Sequence, residues 1–97
     1  MPTYIILARW TQKGIENVKD SPSRLDAAKK LFEEAGGEIK EFYLTMGQYD
    51  MVVIGKAPDD ETAAKMNLKL GSTGSIRTET LRAFTEDEYR KIIAAVP

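Results

Sequence analysis

The chain contains no cysteine and no histidine. Without thiols it can form neither a disulfide framework nor a cysteine nucleophile. Zinc, haem and most transition-metal sites lose their usual ligands, and Ser-His-Asp and Cys-His catalysis are excluded. We therefore predict a protein with no metal and no cofactor, in which any catalysis would depend on carboxylate, phenol, hydroxyl or cationic side chains.

Long apolar runs and an excess of basic residues are also missing. No apolar stretch approaches the ~18 residues that a membrane-spanning helix needs. The start, Met1-Pro2-Thr3, lacks the basic region of a signal peptide. Lys and Arg number 14 against 15 Asp and Glu, a net charge of -1, whereas nucleic-acid-binding domains are usually basic. We expect a cytoplasmic protein that binds neither membranes nor nucleic acid.

The 97 residues are enough for one domain, which we assign to the whole chain, 1–97. Apolar patterns separated by turn and capping signals divide this domain into seven elements. The strands are predicted at Thr3–Thr11, Glu38–Met46, Met51–Ala57 and Ile76–Phe84. In the second strand, alternation predicts Lys40 and Phe42 on one face and Ile39 on the other. The helices are predicted to begin at Ser21-Pro22, with Ser21 as the N-cap, at Pro58-Asp59-Asp60, and at Thr85, which forms a capping box with Glu88. In the last helix Glu86 and Arg90 are spaced for an i,i+4 ion pair. The order of the elements predicts an α+β, ferredoxin-like βαββαβ fold with a four-stranded antiparallel sheet and a C-terminal helix.

Two helices can cover only one face of such a sheet. The first strand and the stretch Met51–Ile54 are apolar on both of their faces, which is typical of strands buried on both sides. Four strands of about six residues present roughly 400 Å² of projected face. Soluble monomers seldom leave an apolar patch of that size open. We therefore predict a homodimer, or a higher homo-oligomer, paired face to face about a two-fold axis.

Gly47-Gln48-Tyr49-Asp50 joins two predicted strands and has the composition of a hairpin turn. Together with this turn, six other stretches make the chain resemble the GYD domain family along nearly its whole length. These stretches are Thr11 with Gly14-Ile15, Asp20-Ser21-Pro22 with Arg24, Gly36-Gly37, Ala57-Pro58-Asp59-Asp60, Gly71-Ser72 with Gly74, and Arg77–Phe84. The resemblance implies a ferredoxin-like fold that pairs into a dimeric α+β barrel, and it implies no particular activity.

The last strand carries polar groups on both faces. Thr78, Thr80 and Arg82 share one face, and Arg77 and Glu79 share the other. A buried arginine is rare unless it is paired. One interpretation is a polar pocket in which Arg77 or Arg82 holds a small carboxylate or enolate. The alternative is that these residues form structural pairs at the end of the strand or at the rim of the dimer.

Aromatic residues and a carboxylate near the hairpin form a second group of candidates. Tyr43, Tyr49 and Asp50 would place a phenol near a carboxylate, an arrangement that can transfer protons. Alternatively, Tyr49 packs across the hairpin and Asp50 accepts hydrogen bonds from backbone amides. Trp10, at the end of the first strand, either stacks a flat substrate or anchors the core or an interface.

Three functional hypotheses follow from these candidates. The first is a non-enzymatic binding or accessory protein that holds a small anionic or aromatic organic molecule between paired sheets. Its ligand-binding residues would be Trp10, Tyr43, Arg77, Thr78, Thr80 and Arg82. The second is a cofactor-independent oxygenase or isomerase that uses Tyr43, Tyr49 or Asp50. The third is a structural oligomer without a ligand, and we favour the first.

Overall fold

Four strands form one antiparallel sheet in a computed structural model that describes all residues, 1–97. The strands are β1 (Thr3–Trp10), β2 (Glu38–Leu44), β3 (Met51–Lys56) and β4 (Ile76–Ala83), in the spatial order β2-β3-β1-β4. The helices are α1 (Gln12–Glu16), α2 (Ser21–Glu34), α3 (Asp60–Ser72) and α4 (Glu86–Ala94). The predicted ferredoxin-like order with a C-terminal helix is confirmed. None of the helices has the length and apolar content needed to cross a membrane.

The start of α2 and the end of β1 differ from the prediction. Ser21, predicted as the cap of the first long helix, is already helical, and Asp20 precedes it without a capping side-chain hydrogen bond. Thr11, predicted to end the strand, instead caps α1 by accepting the Gly14 N–H at 3.1 Å. A hydroxyl side chain at the end of a strand can cap a helix when the chain turns there. The alternation of apolar residues in β1 does not reveal this turn.

A β-bulge in β2 changes which side chains face the helices. The pairing of β2 with β3 shifts between Ile39 and Glu41, so that Lys40 is the extra residue. Ile39 and Phe42 consequently point to the same side of the sheet, where both contact the space beneath the helices. Strict alternation had predicted that Lys40 and Phe42 share a face and that Ile39 lies on the other. That prediction was wrong because an extra residue inverts the alternation.

The core lies between the sheet and helices α2 and α3. Alternate residues of β1, Tyr4, Ile6 and Ala8, are buried there, and Phe32 of α2 is only 2% exposed. Because β1 is a central strand with α2 and α3 over this face, its helix-side residues lose nearly all contact with solvent. This packing determines which face of every other strand is covered.

The opposite face of the sheet has no cover from the same chain, as predicted. We call it the open face. Its central apolar side chains remain partly accessible, and Leu81 is 45% exposed. The register places them side by side across three strands: Ile5, Leu7, Val52, Ile54 and Leu81. The open face therefore carries a continuous apolar strip two to three strands wide.

Helix α4 has the predicted capping box, but its large apolar side chains are exposed. Thr85 accepts the backbone N–H of Glu88, and the Glu88 side chain accepts that of Thr85. Glu86 and Arg90 form the expected ion pair at 2.8 Å. The apolar stripe of α4, by contrast, is largely in solvent. This helix, like the open face, lacks a partner.

The hairpin between β2 and β3 is fastened to β1 by Asp50. The Asp50 side chain accepts the Trp10 backbone N–H at 3.0 Å, and the Asp50 N–H donates to the Ala8 carbonyl at 2.9 Å. Gly47 adopts a φ of 141°, which L side chains rarely take up. These bonds hold the tip of the hairpin over the end of β1.

Replacing Asp50 with Ala should lower the free energy of unfolding by about 1–3 kcal/mol, because the Trp10 amide loses its acceptor. Asp50→Asn keeps an acceptor oxygen and should cost less. Urea denaturation of the two variants measures both effects. Asp26→Ala, which removes an exposed carboxylate from α2, is the control and should not destabilise the fold. Equal stability of wild type and Asp50→Ala would show that the carboxylate is not a structural anchor.

Gly14 should tolerate no side chain. It is buried in α1, and a Cβ atom there would overlap the carbonyl oxygen of Ser75. That oxygen also accepts the Thr11 N–H at 3.0 Å, so it cannot retreat without breaking a backbone bond. Gly14→Ala should cost about 1–3 kcal/mol or more of stability, measured by thermal unfolding. Gly71→Ala, at a position with no neighbouring atom within 4 Å, is the matched control and should be nearly neutral or stabilising.

Candidate functional site

The structure brings four of the six predicted ligand-binding residues to one cleft, which is lined by Arg77, Thr78, Thr80 and Arg82, and leaves Trp10 and Tyr43 elsewhere. Four of them point to the side covered by helices: Trp10, Thr78, Thr80 and Arg82. By register Tyr43 and Arg77 belong to the open face, opposite Val52 and Arg9 respectively, although Arg77, on the edge strand β4, also lines the cleft. The sheet therefore separates the set, because residues one position apart on β4 point to opposite sides. A ligand held between paired open faces would meet only Tyr43 and Arg77.

The cleft has a volume of about 810 Å³ and lies between α3 and β4, where Arg77, Thr78, Thr80 and Arg82 line it. The buried Tyr4 hydroxyl donates to Asp60 at 2.5 Å, and Arg82 lies 3.8 Å from the same carboxylate. Burial and the hydrogen bond to Asp60 raise the pKa of Tyr4 to about 12. The phenol is thus held in its protonated, donating form. One interpretation of the sequence was that Arg82 forms a structural pair at the end of its strand, and Asp60 is the partner in that pair. Sequence reasoning had identified neither Tyr4 nor Asp60.

Two further observations describe the surroundings of this cleft. The Arg82 guanidinium stacks on the Phe84 ring at 4.5 Å and donates to the Ala83 carbonyl. Deeper in the cleft, the Asn67 amide nitrogen donates to the Thr80 hydroxyl at 2.6 Å, while the Asn67 side-chain oxygen has no partner. Arg82 is therefore held by contacts within its own chain. This arrangement agrees with the interpretation of Arg82 as part of a structural pair at the end of the strand.

Tyr49 reaches across β1 to the last strand instead of packing within its hairpin. Its hydroxyl donates to Glu79 at 2.5 Å, and this bond is the main reason that the pKa of Tyr49 is raised. The Arg9 guanidinium lies 4.7 Å from the centre of the Tyr49 ring and donates to the Gln48 carbonyl. Arg9, Tyr49 and Glu79 thus form a polar cluster at one end of the open face, which we call the tip cluster. The sequence offered no signal for it because its members are up to 70 positions apart.

The three candidates for proton transfer serve separate contacts. Tyr43 is 52% exposed, and its hydroxyl is 3.5 Å from Glu41 on the same strand. Tyr49 is bonded to Glu79, and Asp50 is bonded to the Trp10 amide. No hydrogen bond joins the three to each other, so the predicted pairing of a phenol with Asp50 does not form, and the carboxylate partner of Tyr49 is Glu79.

Trp10 lines a different space, which we call the helix-side cavity and which Thr78 also borders. It has a volume of about 270 Å³ and lies between α2, α3 and the sheet. Its walls are mainly apolar and include Phe32, Phe42 and Met51. Both charged residues that line it, Arg24 and Lys69, are basic. Sequence reasoning assigned Arg24 and Lys69 no binding role, because they lie on separate helices 45 positions apart.

Metal binding has no geometric support in the structure. No group of three or more carboxylates lies close enough together to hold an ion. The chain also carries none of the histidine or cysteine ligands that most transition metals prefer.

Solved structures of similar shape share this fold. A protein from Thermus thermophilus aligns with 88% of this chain and 95% of its own, at a TM-score of 0.56 and 26% identity. A feast or famine regulatory protein from M. tuberculosis, complexed with L-methionine, aligns with 90% of this chain and 54% of its own. Its TM-score is 0.64, and at 14% identity the likeness shows the fold alone.

Sequence relatives give a closer relationship. A Thermus thermophilus protein named glutamine synthetase and cystathionine beta-lyase binding protein is 36% identical over 84 residues. The match covers 86% of this chain and 88% of that protein. The model of the GYD domain matches residues 4–93, which include the sheet, helices α1 to α3 and most of α4. The chain therefore belongs to the GYD domain family, as its sequence motifs predicted.

Proposed function

We propose that this protein is a non-catalytic binding protein that pairs through its open face and docks on a partner enzyme through helix α4. The observation that carries the proposal is the presence of two separate apolar surfaces that its own chain leaves uncovered. One is a flat sheet face and the other is a helical stripe. Each has the form of a different kind of interface.

The open face fits a second copy of the same chain. Its apolar strip is central, and one end of the face carries both signs of charge, with Arg9 and Arg77 near Glu79 of the tip cluster. In a two-fold pairing the same patch meets itself, so residues of one sign can oppose residues of the other across the axis. Burial of Leu7 and its neighbours would supply the driving force, at about 25 cal/mol per Å² of apolar surface removed from water. The product would be the predicted dimeric α+β barrel.

Helix α4 fits a groove on another protein. Its exposed apolar residues occupy positions i, i+3, i+4 and i+7, the spacing by which amphipathic helices bind grooves. Tyr89, Ile92 and Ile93 belong to the helix, and Val96 continues the spacing just beyond its last residue, Ala94. The capping box stabilises the helix in the absence of packing contacts, so it is preformed for docking.

The named relative supports an enzyme as the partner. Its name states that it binds glutamine synthetase and cystathionine beta-lyase, and it shares 36% identity with this chain over most of both lengths. We propose that this chain binds one or both of the corresponding enzymes of its own organism, in the cytoplasm. The separate structural bonds of Tyr43, Tyr49 and Asp50 support binding over catalysis.

The dimer can be tested by placing a charge on the open face. Leu7→Lys should convert a dimer at micromolar concentration into a monomer, because two-fold symmetry would bury two unpaired ammonium groups at the centre of the interface. Size-exclusion chromatography with light scattering measures the mass. In the monomer the new side chain can reach solvent, so circular dichroism should show a folded chain.

Leu68→Lys is the matched control for this experiment. Leu68 is 75% exposed on α3, away from the open face, and the same substitution there should leave the dimer intact. A wild-type monomer at micromolar concentration, or a Leu7→Lys protein that remains dimeric, would contradict pairing through the sheet.

Enzyme docking can be tested with purified glutamine synthetase and cystathionine beta-lyase from the same organism. Wild-type protein should bind at least one of them in biolayer interferometry. Ile92→Asp should weaken that binding by about tenfold or more, as expected for a hydrophobic anchor that is lost from a groove. Asp87→Asn, in the first turn of the same helix, changes a charge outside the stripe and should bind like wild type.

The two halves of the proposal fail separately. If Ile92→Asp dissociates the dimer, the helical stripe belongs to the homodimer and the docking assignment is wrong. If the dimer persists and neither enzyme binds, pairing through the open face is supported, and the assignment of these two enzymes as partners is wrong.

A further inference from the structure

We propose that the helix-side cavity is a binding site for a small aromatic carboxylate, a single ring on a short chain that ends in a carboxylate group. The cavity lies on the opposite side of the sheet from the open face. The site is therefore independent of the proposed dimer and of the docking role of α4.

The walls of the cavity suit an aromatic ring. Trp10, Phe32, Phe42, Met51 and Val53 are among the residues that line it. Fourteen of the 20 lining residues are hydrophobic. An apolar cavity of this kind does not attract water, because a buried water molecule needs two to four polar partners. Its natural occupant is an apolar group that fills the volume and makes dispersion contacts with its walls.

The volume limits the size of that occupant. Engineered apolar cavities of about 150 Å³ take up benzene. The cavity here measures about 270 Å³, which accommodates one ring and a few further carbon atoms. A fused system of three rings or a long acyl chain would not fit.

The charges that line the cavity favour an anion. Arg24 and Lys69 are the charged residues that line it, and no carboxylate does. Neither residue takes part in a salt bridge, since the two in the chain are Arg82–Asp60 and Arg90–Glu86. Two cations without an ionic partner, beside an apolar cavity, are complementary to a ligand with a carboxylate at one end.

Arg24 is held in position for this role. Its terminal nitrogens donate to the Asn17 carbonyl at 3.1 Å and to the Gly14 carbonyl at 3.4 Å. A guanidinium has five N–H donors, so others stay available for a carboxylate. The loop and α1 therefore fix the side chain without neutralising its charge. Ser21 and Thr73, which also line the cavity, add hydroxyl groups.

The test uses Trp10, the one tryptophan in the chain, as the reporter. Wild-type protein is titrated with 3-phenylpropanoate and with the neutral analogue 3-phenylpropanol while the Trp10 fluorescence is followed. The carboxylate should bind with a dissociation constant in the millimolar range or tighter, as expected for a ligand of this size. The alcohol should bind about threefold to tenfold more weakly, because it cannot pair with the cations.

Two variants locate the site. Lys69→Gln should reduce the preference for the carboxylate over the alcohol, while Lys65→Gln, on the same helix but not lining the cavity, should leave it unchanged. Ala28→Met fills part of the cavity and should abolish binding of both compounds while keeping or raising the melting temperature. If Ala28→Met does not fold, Lys69→Gln alone still tests the assignment, since its side chain lies at the surface.

The proposal is overturned by either of two results. The first is a wild-type protein whose Trp10 fluorescence does not respond to 3-phenylpropanoate at concentrations well above the millimolar range. The second is equally tight binding of 3-phenylpropanoate and the alcohol to wild type, together with unchanged binding of 3-phenylpropanoate to Lys69→Gln and to a folded Ala28→Met. The compound would then bind elsewhere.

Discussion

The sheet is apolar on both faces but covered on only one, and most features of the molecule depend on this asymmetry. Helices α2 and α3 lie on the side of Tyr4, Ile6 and Ala8, which are 3–4% exposed. The alternate residues Ile5 and Leu7 remain partly accessible on the other side. A strand has two faces, and α2 and α3 cover only one of them. The apolar residues on the other face are therefore left to a partner or to solvent.

Strand β4 shows how one segment serves two surfaces. On its helix side, Thr80 and Arg82 join the polar network of Tyr4, Asp60 and Asn67, which fastens α3 to the sheet. On its open side, Glu79 receives the Tyr49 hydroxyl and so ties the hairpin tip to the far edge of the apolar strip. Both sets of polar groups have partners within the chain. The sheet face and the helical stripe that the chain leaves uncovered are mainly apolar, which is typical of interaction surfaces.

Much of the fold was predictable because its signals are local. The apolar alternation of β1, the capping box of Thr85 and Glu88 and the hairpin glycine each depend on residues that are near one another in the chain. The face of Ile39 was not predictable, since a single bulged residue inverted the alternation in β2. The contact of Tyr49 with Glu79 was equally hidden, because it depends on which strands become neighbours and on how far the hairpin bends.

The sequence by itself determined the element order, the family, the exclusion of cysteine and histidine chemistry, and the presence of more apolar surface than two helices can cover. These are properties of composition and of short-range periodicity. Only the tertiary structure decided which candidates meet: it divided the predicted ligand residues between two faces, paired Arg82 with Asp60, and brought Trp10, Arg24 and Lys69 around one cavity. The physical reason is that a strand sends adjacent residues to opposite sides, while helix packing joins residues that are far apart in the chain.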